Sequence, residues 1–127
     1  MTEPVWIARE LVLVLHDRLL ADHRGAPGLG DEGLLDSALA RPRHLLAYRR
    51  PELPALAAAY AAGLVGNHPF VDGNKRVAFM TAYVFLARNG HRLIAPETEA
   101  TAIMIGLAAG EIGEQALAAW LRKRMSA

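Results

Sequence analysis

The stretch Asn67-His68-Pro69-Phe70-Val71-Asp72-Gly73-Asn74-Lys75-Arg76 runs straight into an apolar segment from Val77 to Ala87. The pattern is that of a loop feeding a buried helix. His68 is a potential base, Asp72 a carboxylate and Gly73 a turn residue, while Lys75 and Arg76 stand where the helix begins. That last placement breaks a local rule. A helix N-terminus already carries about half a positive charge, so cations in the first turn each cost roughly 0.3–1 kcal/mol unless an anion sits among them. Such violations are expected at functional sites. The helix itself is predicted over Asn74 to Asn89, closed by Gly90 in the left-handed conformation. Val77, Phe79, Met80, Tyr83, Val84, Phe85 and Leu86 wrap it in apolar surface. This predicts a buried central helix 74–89 on which the others pack.

Toward the N-terminus, Pro54 opens a helix over Ala55 to Gly66 whose alanines permit close approach to a neighbour. Pro42 suits the first position of a short helix over Arg43 to Tyr48, and Pro51 ends it. Asp31 is an N-cap for a helix from Glu32 to Ala40. Gly25 to Gly30 is a turn-rich loop with the freedom to act as a flap. From Pro4 to His23, the apolar residues Ile7, Leu11, Val14, Leu15 and Leu19 recur at helical spacing and predict a long first helix.

Toward the C-terminus, His91 to Ala95 is a short connector of extended character. Pro96 starts a helix that runs to Ala109 with Gly110 as its stop, and Glu114 to Met125 forms the last helix. The Arg122-Lys123-Arg124 end suits the negative pole of that helix. The expectation is an all-α fold: a compact single-domain bundle of about six or seven helices spanning 1–127, with no strand or internal repeat.

Composition narrows the function classes. The chain has 127 residues, 53% hydrophobic and 21% charged, which is globular rather than disordered. A net charge of +1 argues against a general nucleic-acid binder, so any anion site must be local. Absence of cysteine excludes disulfides and thiolate metal sites. The start Met1-Thr2-Glu3-Pro4 lacks a signal pattern, and no apolar run reaches the ~20 residues of a membrane span. A cytoplasmic protein with no membrane association is expected.

The chemistry follows from the loop. Gly73 lets the backbone turn sharply, so that the amides of Gly73, Asn74 and Lys75 can form an anion nest, and Asn74 can cap the helix. The helix pole, Lys75 and Arg76 add positive potential at one point, the recurrent arrangement for phosphate. Asp72 suits Mg²⁺, which is typically held by one or two carboxylates plus substrate phosphates. His68 lies near two cations and a helix pole, which favour the neutral imidazole needed to take a proton from a hydroxyl. Base, metal carboxylate and nest together point to transfer of a phosphorus group from a nucleotide to an alcohol, with simple hydrolysis open.

These residues carry a resemblance. His68 to Arg76 resembles the signature of the Fic/Doc superfamily, in its Doc (death-on-curing) toxin branch. Leu15-His16-Asp17, Gly30-Asp31-Glu32-Gly33-Leu34-Leu35 and Phe85-Leu86-Ala87-Arg88-Asn89-Gly90 resemble the same branch, so the likeness covers nearly the whole chain. In the general Fic pattern a glycine stands where this chain has Lys75, and an arginine where it has Phe79. The resemblance therefore implies Doc-like protein phosphorylation rather than AMP transfer: ATP bound with its γ-phosphoryl toward a Ser/Thr hydroxyl of a translation factor, elongation factor Tu in the prototype, arresting translation and growth. It implies His68 as base, Asp72 as Mg²⁺ ligand and Gly73, Asn74, Lys75 and Arg76 as phosphate binders. Self-inhibited Fic proteins carry a Ser/Thr-x-x-x-Glu-Gly/Asn helix. Here only Glu32 precedes glycine or asparagine, and Gly28 stands four positions before it. The resemblance thus implies restraint by a separate, Phd-like antitoxin with a disordered C-terminal segment.

Plainer readings apply elsewhere. Phe70 is expected in the core, and Trp6 and Trp120 as packing for the terminal helices. His16, His23, His44 and His91 are expected to be structural or solvated. Arg49, Arg50 and Arg122 to Arg124 read as solvated charge. Three functions remain open at this level: a Doc-like kinase toxin, a Fic-type AMP transferase, and a non-catalytic helical binding module.

Overall fold

The computed structural model describes residues 3–126. Among them are six helices: α1 (Arg9–His23), α2 (Glu32–Arg49), α3 (Leu53–Asn67), α4 (Asn74–Arg88), α5 (Glu97–Ala108) and α6 (Glu114–Arg124). The all-α architecture agrees with the periodicity. α4 is central as predicted, with Val77, Ala78, Thr81, Ala82, Phe85 and Leu86 buried, and it shares the middle with α3. That helix is apolar on every side and buries residues all round, from Pro54 to Leu64, because α2, α4, α5 and α6 all pack on it. α1 lies against α4 on one flank, and α5 reaches α3, α4 and α6 on another. Tyr60 of α3 and Phe85 of α4 meet at 5.2 Å between ring centroids in the middle of the core.

Two predicted boundaries are corrected. The first helix starts at Arg9 rather than Pro4, because the segment before it is tied down in extended form. The Val5 amide donates to Asn89 Oδ1, Asn89 Nδ2 donates to the Val5 carbonyl, and the Ile7 amide donates to the Tyr60 hydroxyl. Trp6 therefore packs ahead of α1, stacked on Phe85 with Arg43 over its ring. The most deeply buried residues of α1 are Val12 and His16, one turn apart, with the predicted Leu11, Leu15 and Leu19 packed against the core beside them, whereas Val14 faces out.

The second correction is at Pro42. The two helices expected on either side of it are one, α2, with Pro42 fully buried inside. An interior proline forfeits a hydrogen bond and costs about 3 kcal/mol. Burial against α3 offsets this, since a large apolar side chain such as Leu35 contributes roughly 1.5–3 kcal/mol. The approach is close: a β-carbon on Gly63 of α3 would lie 3.2 Å from both Cα and the carbonyl oxygen of Ala38.

The connector 91–95 is extended, as its composition suggested, and pairs with the chain leaving α6. The Ile94 amide donates to Arg124 and the Ser126 amide to Arg92, each at 2.8 Å. Glu99 binds Trp120 Nε1 and Arg124, closing α5 onto α6. No helix among the described residues is long and apolar enough to cross a membrane.

Candidate active site

The loop between α3 and α4 begins at a residue in an uncommon conformation. His68 is the C-cap of α3 with φ 51° and ψ 55°, its amide donating to the Leu64 carbonyl. Glycine is the usual occupant of a left-handed cap. A histidine here turns its exposed imidazole out of the helix at the mouth of the site. Pro69 and Phe70 then plunge into the core, Phe70 being 2% exposed as anticipated.

Asn74 corrects a prediction. It does not cap α4; Gly73, with φ 79°, occupies that position and supplies no side chain. Instead the Asn74 carboxamide is buried beneath the loop, accepting from the Phe70 amide at 3.0 Å and donating to the Phe70 carbonyl at 2.9 Å. Asn74 is a staple that closes the loop on the helix it precedes. Its side chain is thereby committed, which leaves only its backbone amide for an anion.

The nest is also altered at Gly73, whose amide donates to Asp72 Oδ1 at 2.8 Å. The amides of Asn74, Lys75 and Arg76 remain, in the first turn where intrahelical acceptors are lacking. No side chain caps them and no acidic residue stands in that turn. By contrast, the first turns of α5 and α6 carry Glu97, Glu99 and Glu114. The positive pole of α4, reinforced by exposed Lys75 and Arg76, is therefore left for an anion from outside.

Asp72 is aimed by its surroundings. Beside the bond from Gly73, its Oδ2 accepts from the Ala26 amide at 3.3 Å. These two amides, Gly73 first, hold its carboxyl below the usual carboxylate range against the opposing effect of desolvation, and Arg76 and His16 add to the lowering. The carboxylate is exposed, and its remaining lone pairs can take a cation. No group of three or more His, Cys, Asp or Glu side chains suited to a metal occurs among the described residues. A single carboxylate beside a phosphate nest fits Mg²⁺, which takes its other ligands from phosphates and water.

The Gly25 to Gly30 loop is tethered rather than free. The amides of Gly30 and Asp31 donate to the Pro69 carbonyl, and the Val71 amide to Gly28. Leu29 thus faces Phe70 across an antiparallel bridge. A β-carbon on Gly25 would stand 3.0 Å from Asp72 Oδ2, so this loop is packed against the carboxylate itself.

His68, Asp72, Gly73, Asn74, Lys75 and Arg76 line one cleft of about 840 Å³. The size falls within the ~300–1,000 Å³ of ligand sites. Its far wall was not legible beforehand: Leu19 and His23 come from α1, and Glu97, Thr101, Met104 and Ile105 from α5. Phe79, standing where the general pattern has arginine, lines it from α4.

Likeness to known proteins identifies the family. Residues 6–86 match the model of the Fic/DOC family, and the chain belongs to that family. Within it the chain stands in the Doc branch. It is 32% identical over 118 residues to "Protein kinase doc" of Escherichia phage P1, covering 92% of this chain and 93% of that protein. It is also 48% identical over 69 residues to "Toxin Doc" of Mycolicibacterium smegmatis, about half of each chain.

Proposed function

We propose that this protein is a Doc-like kinase toxin: it transfers the γ-phosphoryl group of ATP to a Ser/Thr hydroxyl of a host translation factor, with elongation factor Tu the leading acceptor, and arrests growth. The observation that carries the reading is the cleft that unites exposed His68, the amide-bound Asp72 carboxylate and the uncapped cationic start of α4. Similarity to a relative named as a protein kinase over 92% of the chain supports it.

In this reading the nucleotide's phosphates lie on the amides of Asn74, Lys75 and Arg76 and on the two cationic side chains. Bound Mg²⁺ would supply charge neutralisation to those phosphates, and Asp72 is its protein ligand. His68 accepts the proton of the acceptor hydroxyl as that oxygen bonds to the γ-phosphorus. The bond from the γ-phosphorus to the β,γ-bridging oxygen breaks, and ADP leaves. Transfer of this kind relies on positioning and electrostatics more than on covalent participation by the protein. Apolar Phe79 gives the cleft no further cation, which favours γ-phosphoryl over AMP transfer. Restraint by a separate cytoplasmic antitoxin completes the reading.

His68→Ala tests it. With γ-labelled ATP and a bacterial extract, the variant should lose labelling of the acceptor by at least ~100-fold, the scale of general-base loss. It should also lose growth arrest while keeping the native melting profile. A His68→Ala protein that still stops growth would establish action by binding instead.

A further inference from the structure

His16 is on the inward face of α1, 3% exposed. Its ring stacks on Phe70 with 3.8 Å between centroids and 16° between planes. Nε2 lies 2.7 Å from the Asp72 carbonyl oxygen. A carbonyl only accepts, so Nε2 carries the hydrogen and donates. A buried histidine with a satisfied nitrogen is ordinarily a packing residue, but the group that this one holds sets it apart. The Asp72 carbonyl and the Gly73 amide belong to one peptide unit, and a planar trans peptide points them in opposite directions. His16 grips the carbonyl end, and the amide end donates to Asp72 Oδ1 at 2.8 Å.

Glycine at position 73 leaves the orientation of that peptide open, since either direction is sterically accessible to a residue without a β-carbon. A flip would carry the Gly73 amide away from the Asp72 carboxylate and move the start of α4. Within the loop no other hydrogen bond engages the Asp72 carbonyl among the described residues.

We infer that His16 is a positioning residue for the transfer reaction: by holding the Asp72–Gly73 peptide in one orientation, it aims the Asp72 carboxylate and the first-turn amides of α4 into the cleft. The inference rests on the phosphoryl-transfer reading, in which Asp72 holds Mg²⁺.

The test compares His16→Phe, which keeps the ring stack and removes the donor, with His16→Gln, which restores an amide donor at similar reach. The initial rate of label transfer from γ-labelled ATP into protein of a bacterial extract should fall roughly 10–100-fold in His16→Phe, the usual scale for groups behind a metal ligand. Its requirement for Mg²⁺ should rise, and His16→Gln should recover most of both. Hydrogen exchange of the Gly73 amide, followed by NMR on the protein alone, should quicken at least tenfold in His16→Phe and slow again in His16→Gln. Should His16→Phe fail to fold, His16→Asn, whose shorter amide cannot reach Asp72, replaces it. Unlabelled extract with wild-type protein would defeat the kinase reading, while Gly73 exchange would still decide the role of His16. Wild-type Mg²⁺ dependence and Gly73 exchange in His16→Phe, or a Gln variant as impaired as the Phe variant, would overturn the inference.

Discussion

His68 occupies the left-handed region at the end of α3, where a residue with a β-carbon costs roughly 1–2 kcal/mol more than glycine. The position is thus suboptimal for folding, as are those of Arg24 and Arg50, the left-handed caps of α1 and α2. His68→Gly should therefore leave the protein as stable as the wild type or up to about 1 kcal/mol more so, measured by urea unfolding, while abolishing transfer. A marked loss of stability would show that the imidazole serves the fold. For Asp72, the lowered carboxyl pKa sets the sign of the pH dependence. Its contribution is complete above the unfolded-state value of about 3.9 and is lost as pH falls through the lower folded value. The difference in melting temperature between wild type and Asp72→Asn should accordingly stay constant from about pH 5 to 8 and narrow below about pH 4. A difference that grows with acid would contradict the two amide bonds. At this scale His68, Asp72, Lys75 and Arg76 were legible because they are neighbours in the chain. The roles of Asn74 and His16 were not: a buried staple and a capping side chain look alike in sequence, and His16 meets Asp72 across 56 positions.

Helix identity was legible from periodicity, since each element contains a run of apolar residues at helical spacing. Boundaries failed where tertiary contacts overrode local rules. Pro42 reads as a helix start, yet the face of Leu35, Ala38 and Pro42 is buried as a unit against α3. The same contact yields a stability prediction. A β-carbon on Gly63 would lie 3.2 Å from the Ala38 backbone, which cannot rotate away as a side chain can. Gly63→Ala should destabilise by about 1–3 kcal/mol, the range for overpacking, seen as a lower urea midpoint with unchanged slope. An unchanged midpoint would mean that α2 and α3 can separate without loss. Of the stripe expected for α1, Leu11, Leu15 and Leu19 pack against the core and only Val14 faces out; what the pattern missed is His16 beside Val12, since a polar residue on the buried face is invisible to an apolar pattern.

Across the whole molecule, a chain of net charge only +1 places Lys75 and Arg76 together on the positive pole of α4, with no acidic residue in that turn. α3 and α4 form the core and hold the loop between them, while α1 and α5 supply the opposite wall of the cleft. That wall could not be foreseen, because Leu19, His23, Glu97 and Thr101 carry no local pattern and meet only through packing. The proposed function turns on which end of the nucleotide faces the acceptor. In the proposed reading, Lys75 in place of glycine and apolar Phe79 in place of arginine both favour the γ-phosphoryl as the transferred group. Parallel incubation of the protein and a bacterial extract with γ-labelled and with α-labelled ATP tests this most directly. An acceptor protein labelled from the γ-position alone is expected, with His68→Ala as the blank; label delivered from the α-position by the wild-type protein would contradict γ-phosphoryl transfer.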